Sequence, residues 1–136
     1  MTRTPMPSRV RTAFEAELAR AYAASPDTGA MWTALERAHI LSQNWAWPHT
    51  RAHWHMFRLA VRCRDRKEMA GQVVRILVAG PGSLAGRVPQ GNTGRTRAGL
   101  LTPMPIPDDL VALLGRAELP VGPAVAEGAV EGRAGQ

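Results

Sequence analysis

Four histidines and a glutamate, all within the twenty residues from Glu36 to His55, carry the chemistry that this sequence can support. Glu36 and His39 stand three apart before a turn, and His49 and His53 stand four apart just after Pro48. Residues three or four apart share a helical face, so each pair presents its two side chains together. A turn through Asn44, Trp45, Ala46 and Trp47 would bring the two faces opposite each other. Neutral imidazole suits zinc, copper, iron and nickel, and a carboxylate adds charge and favours harder ions. The expected shell is Glu36, His39, His49 and His53, with Glu17 as a further oxygen donor from a preceding helix. Gln43, Glu68, Gln72 and Trp32 are expected to surround it. His55 falls on the opposite side of the helix, among arginines, and is expected to face water.

The elements that must position these residues are helices. Composition points that way: alanine is frequent, and aromatics are 5% of the chain. A chain of 136 residues fits one small domain with one modest core. Apolar periodicity near 100° per residue marks helices over about 9–24, 27–43, 48–64 and 66–79. Val10, Phe14, Leu18 and Ala21 form the inward face of the first. The second is apolar around most of its girth. In the third, His49, Ala52, His53, Met56, Leu59, Ala60 and Cys63 share the inward face, and Pro48 suits its first position. Trp54 also reads as core.

The fourth helix carries an apolar stripe of Met69, Val73, Val74, Ile76 and Leu77 beside a polar one of Glu68, Gln72 and Arg75. Gly80-Pro81-Gly82 is expected to end it. A loop over 80–107 follows, then a short helix over 108–114. Residues 1–115 form the domain, and 116–136, rich in Ala, Gly, Val, Pro and Glu, read as a disordered tail. The fold class is all-α: two antiparallel hairpins, packed as a tetratricopeptide-like pair or a compact bundle.

The charge balance is basic, with 17 Lys+Arg against 11 Asp+Glu. The arginines are spread along the chain, and no aromatics interleave with the densest group, Arg58 to Lys67. That pattern argues for a solvated face and against a nucleic-acid stripe. No apolar run of about 18 residues predicts a membrane span. Cys63 is the only cysteine, so no intrachain disulfide is expected, and a cytoplasmic location is the default.

Helical bundles that hold two irons or manganeses use Glu-x-x-His twice, with single glutamates from two other helices. This chain has one Glu-x-x-His and a His-x-x-x-His in place of the second. A single ion is therefore expected: one first-row transition metal, zinc, iron or copper. With an open coordination position the site would support oxygenase-type or hydrolase-type chemistry. Trp32, Trp45, Trp47 and Trp54 would then wall in an organic small-molecule substrate. The alternative is a helical-hairpin interaction module in which the same histidines and glutamates form a structural polar network. Either arrangement is compatible with a homo-oligomer.

Several stretches, taken in order, resemble a known family. They are Leu35 to Gln43, His49, His53-Trp54, Gly71-Gln72-Val73-Val74-Arg75, Gly91-Asn92-Thr93-Gly94 and Pro103-Met104-Pro105-Ile106-Pro107. The run is similar to a family of small bacterial helical proteins catalogued as domain of unknown function 3703, over about residues 10–114. Its members are often encoded near heavy-metal-resistance genes, so the resemblance implies a metal but no activity. It also implies that the Gly-Asn-Thr-Gly and Pro-Met-Pro-Ile-Pro loops pack over the helices and close the site.

Overall fold

The structure is a computed structural model that describes residues 4–84, 90–100 and 102–118. Among the described residues five α-helices follow one another: α1 (Ser8–Ala23), α2 (Thr28–Ser42), α3 (Ala46–Arg62), α4 (Arg66–Leu84) and α5 (Asp108–Glu118). A single 3-10 turn, Thr96–Ala98, interrupts the long connection between α4 and α5. Helices α1 and α2 form one packed hairpin, and α3 and α4 form a second. Helix α2 joins them by packing on α3, and α5 lies across α1 and α2. The all-α, two-hairpin expectation holds. Among the described residues no helix is long and apolar enough to cross a membrane.

The core follows the apolar spacing of the first three helices. Val10, Phe14, Leu18 and Ala21 are buried along α1. Helix α2 is central, with Met31, Ala34, Leu35, Ala38, Ile40 and Leu41 all buried. Ala38, Ala52 and Ala60 are fully enclosed, and their small side chains let the helices come close. Glu17 is also buried; its carboxylate accepts hydrogen bonds from Arg20 (2.9 Å) and from Arg37 Nε (2.8 Å). Arg37 reaches on to Asp109, tying α5 to the first hairpin.

Capping sets the helix starts. Asp27 accepts from the Ala30 amide at the head of α2, and Asp65 accepts from the Glu68 amide at the head of α4 (2.9 Å). Asp65→Ala is expected to cost about 1 kcal/mol of stability, read from the denaturant midpoint. No change in midpoint would remove the cap from the account.

The boundaries differ from the sequence reading at two prolines. Helix α3 begins at Ala46, after Trp45 as N-cap, so Pro48 stands third in the helix and not first. The first amides of a helix have no internal partner, so proline is tolerated there without loss of a bond. Helix α4 does not stop at Gly80-Pro81-Gly82 but runs to Leu84. The helix continues for about one turn beyond Gly80 although an interior proline removes a backbone bond and costs about 3 kcal/mol. Helix α5 likewise runs to Glu118, past the expected 114. The expected disorder of the tail beyond it lies outside the described residues.

Helix α4 turns Glu68 and Gln72 inward, in keeping with their expected place around the site. Its polar residues Glu68, Gln72 and Arg75 are buried, while Val73, Val74 and Leu77 are exposed. Met69 and Ile76 are half-buried. The amphipathic helix is docked by its polar side. Two single residues also depart from expectation. Trp54 is exposed and stacks on Phe57, and Cys63, at the C-cap of α3, is exposed and not core.

Candidate metal centre

His39 from α2 and His49 and His53 from α3 meet in the interior, each at most 5% exposed. One turn of helix separates His49 from His53, and the Ser42–Ala46 turn folds α2 back so that His39 faces both. The three Nε2 atoms form a compact triangle. His39 lies 2.8 Å from His49 and 3.1 Å from His53. His49 and His53 are 3.2 Å apart. Sides of this length are what three donors show on one face of an ion with bonds of about 2.0–2.2 Å.

The outer nitrogens decide what the inner ones can offer. His39 Nδ1 lies 2.8 Å from the Asn92 carbonyl oxygen. A carbonyl only accepts, so Nδ1 carries the proton and Nε2 of the neutral ring carries a lone pair. His53 Nδ1 lies 2.8 Å from Gln72 Oε1. The Gln72 amide is oriented by donating from Nε2 to Glu68 Oε1 (2.8 Å) and to the Gly94 carbonyl (2.9 Å). His53 therefore also presents an Nε2 lone pair. These two lone pairs face each other at 3.1 Å, an arrangement that repels unless a cation or a proton lies between them.

Protons are poorly retained here. Burial lowers the pKa of all three imidazoles: His49 falls to about 3 and His53 to about 4. His39 falls well below its ordinary value, through burial first and then the neighbouring His53 and His49. The guanidinium of Arg75, buried nearby, also opposes a charge on His39 and His53. At neutral pH the cluster is three neutral imidazoles, two of which, His39 and His53, turn Nε2 lone pairs inward. That is a metal-ready donor set.

The loop after α4 covers the triad. Gln43 donates from Nε2 to the Asn92 carbonyl (3.2 Å) and accepts from the Gly91 amide (3.0 Å). The Asn92 side chain donates to the Gly99 and Thr102 carbonyls. Gly94 sits directly on the His39 ring; a Cβ there would lie 2.8 Å from ring carbons, and its φ of +80° already disfavours any side chain. Gly91 packs as closely on the backbone of Met104. The Gly-Asn-Thr-Gly stretch therefore lies over the triad, as the resemblance implied, with the proline-rich stretch behind it.

Of the sequence-derived candidates, the structure brings together His39, His49 and His53. Glu36 stays beside the cluster with its carboxylate paired to Arg95 (3.3 Å). Glu17 is held by Arg20 and Arg37 between α1 and α2. Gln72 and Gln43 hold the triad and its loop, and Glu68 anchors that loop by accepting from the Thr96 amide. Trp32 carries the Arg95 guanidinium on its ring face at 3.7 Å. His55 is outside the cluster, bonded through Nδ1 to the Tyr22 hydroxyl (2.8 Å) rather than freely solvated.

The tryptophans do not wall the site. Trp47 and Trp54 face outward, and the Trp45 indole donates to the Thr4 carbonyl. Sequence reasoning missed the Asn92 carbonyl as the partner of His39, and Arg75 and Arg95 as members of the surrounding polar network. Their signal was the Gly-Asn-Thr-Gly turn and a lone arginine on a polar stripe, neither of which reveals a partner far along the chain.

Removing the Gln72 amide tests the hold on His53. Gln72→Leu is expected to lower metal affinity about 10–100-fold, the usual effect of losing an outer partner of a ligating histidine. Competition with a chromophoric chelator measures it, and unchanged affinity would show that Gln72 serves packing alone.

Residues 8–114 match the profile of a family described as "Protein of unknown function (DUF3703)". No curated protein and no solved structure matches the chain.

Proposed function

We propose that this chain, which belongs to the DUF3703 family, binds one first-row transition metal ion through His39, His49 and His53. The observation that carries the reading is the pair of Nε2 lone pairs held face to face by the Asn92 carbonyl and Gln72. At least two of the three inward nitrogens are acceptors, so the triangle needs a cation, or a proton on His49 Nε2, to hold it together. Three neutral nitrogens without a carboxylate favour zinc, copper or ferrous iron over magnesium, calcium or manganese.

Three imidazoles on one face of an ion leave its other face for water or an organic ligand. A bound water would be acidified there, the property on which three-histidine zinc enzymes rely. This supports a small metalloenzyme of hydrolytic or oxygen-dependent type, with its substrate still to be found by screening.

The test is elemental analysis of protein purified without an affinity tag or chelator, followed by titration of the apo form with zinc, ferrous iron and copper. Near-stoichiometric uptake is expected. A protein that arrives metal-free, takes up none and is no more heat-stable with metal added would leave the histidines as packing.

A further inference from the structure

The outer side of the α3/α4 hairpin carries a row of apolar residues that stand exposed among the described residues. His53 and Gln72 bond across the contact between the two helices and so mark the line along which they face. Counting about 100° per residue from that line, Trp47, Trp54 and Val61 lie about 80–120° round on α3. Val73 and Leu77 lie about 100–140° round on α4 in the same sense. The helices run in opposite directions, so both rotations lead to the same side of the hairpin. His49, Glu68 and Arg75 lie about 40–60° round in the opposite sense. Exposure agrees: Trp47 is 72%, Leu77 70%, Trp54 51%, and Val61 and Val73 each 44% exposed.

We propose that this face is a two-fold interface between two copies of the chain, with their α3/α4 hairpins antiparallel. With full side-chain areas of about 150–250 Å², the five residues expose roughly 500–600 Å² of apolar surface. A standard interface buries about 800 Å² per partner with a core about 65% apolar, so the patch matches the apolar share of one such face. The charges favour a second copy and choose its direction. Arg58, Arg62 and Arg66 are exposed at the turn end of the hairpin, and Trp47 stands at the other end. An antiparallel pair lays the Trp47 ring of each copy against the Arg66 guanidinium of its partner, a favourable cation–π contact, while Arg58 and Arg62 stay bonded to Tyr22 and Ser25. It also holds the two basic ends about 25 Å apart, the length of α3 and well beyond the screening length of physiological salt. A parallel pair would press those ends together.

The experiment is sedimentation equilibrium on the full chain from low micromolar to a few hundred micromolar. The expected result is a mass of twice 14.7 kDa at the upper concentrations. Leu77→Glu and Trp54→Glu should each weaken dimerisation at least about 100-fold (about 2.7 kcal/mol), with helical content unchanged by circular dichroism. Val111→Glu, on the exposed side of α5, should leave it intact. Cys63 at the turn end should resist diamide-driven crosslinking in the dimer, because the antiparallel arrangement keeps the two cysteines apart. A monomer at every concentration overturns the proposal, as does a dimer that survives both glutamate variants. Efficient crosslinking through Cys63 overturns the antiparallel geometry.

Discussion

His39→Ala is expected to abolish metal binding, whereas His55→Ala is expected to leave it at the wild-type level. His39 touches both other imidazoles, at 2.8 Å and 3.1 Å, and it alone comes from α2. Without it, His49 and His53 remain as two donors on one helix turn, and the Asn92 carbonyl loses the ring N–H that it accepts. An ion present at about 1,000 times its dissociation constant stabilises the fold by about 4 kcal/mol. For a chain of this size that corresponds to a rise of roughly 8–16 °C in melting temperature. The rise should appear in wild type and His55→Ala and be absent in His39→Ala. Melting curves with and without added zinc, beside elemental analysis, provide both readouts. Stoichiometric metal in His39→Ala would sink the three-histidine site, and loss of metal in His55→Ala would show that the ligand set is wrong.

The metal-free protein loses stability steeply as pH falls from about 6.5 toward 4. The unfolded chain carries ordinary histidines that take up protons near pH 6.5. In the fold, burial holds His49 neutral to about 3 and His53 to about 4, with His39 depressed as well. Between those limits the unfolded state binds more protons than the native one, so stability rises with pH. Each imidazole contributes up to about 1.4 kcal/mol per pH unit across this window. All three shifts have the same sign, so their effects on the slope reinforce one another. Denaturant midpoints at pH 7.5, 6 and 5 measure the slope, and His53→Gln should make it shallower. Equal midpoints at pH 7.5 and 5 would mean that the triad is not the buried neutral cluster described here.

The hairpins and the meeting of His39 with His49 and His53 were legible because they rest on local spacing. Apolar periodicity sets the helices, and pairs three or four apart share a face whatever surrounds them. The environment of the carboxylates was not legible. Glu36 shares a face with His39, but Arg95, fifty-nine residues along the chain, pairs with it. The outward turn of the apolar stripe on α4 has the same origin. A helical wheel assigns the apolar stripe to the interior because burial of carbon is the usual driving force. Here the loop over the triad presents the Gly94 carbonyl, the Thr96 amide and the Arg95 carbonyl to α4, and Gln72, Glu68 and Arg75 satisfy them. Buried backbone groups need partners, and nothing in the spacing of residues 66–79 signals that such groups will arrive from residues 94–96.

A helix docked through its polar side has a kinetic consequence. The core shared by α1, α2 and α3 closes through neighbouring segments, whereas α4 needs loop residues about twenty positions ahead to satisfy its inner face. Helix α4 and residues 91–96 therefore form one cooperative unit that assembles late and opens before the remainder unfolds. That unit also lies over the triad through Gly94 and Gln72. An ion held by the three imidazoles would then enter no faster than this unit opens, and so more slowly than diffusion. Amide exchange of α4, faster than that of α2, would mark the door through which the metal is loaded.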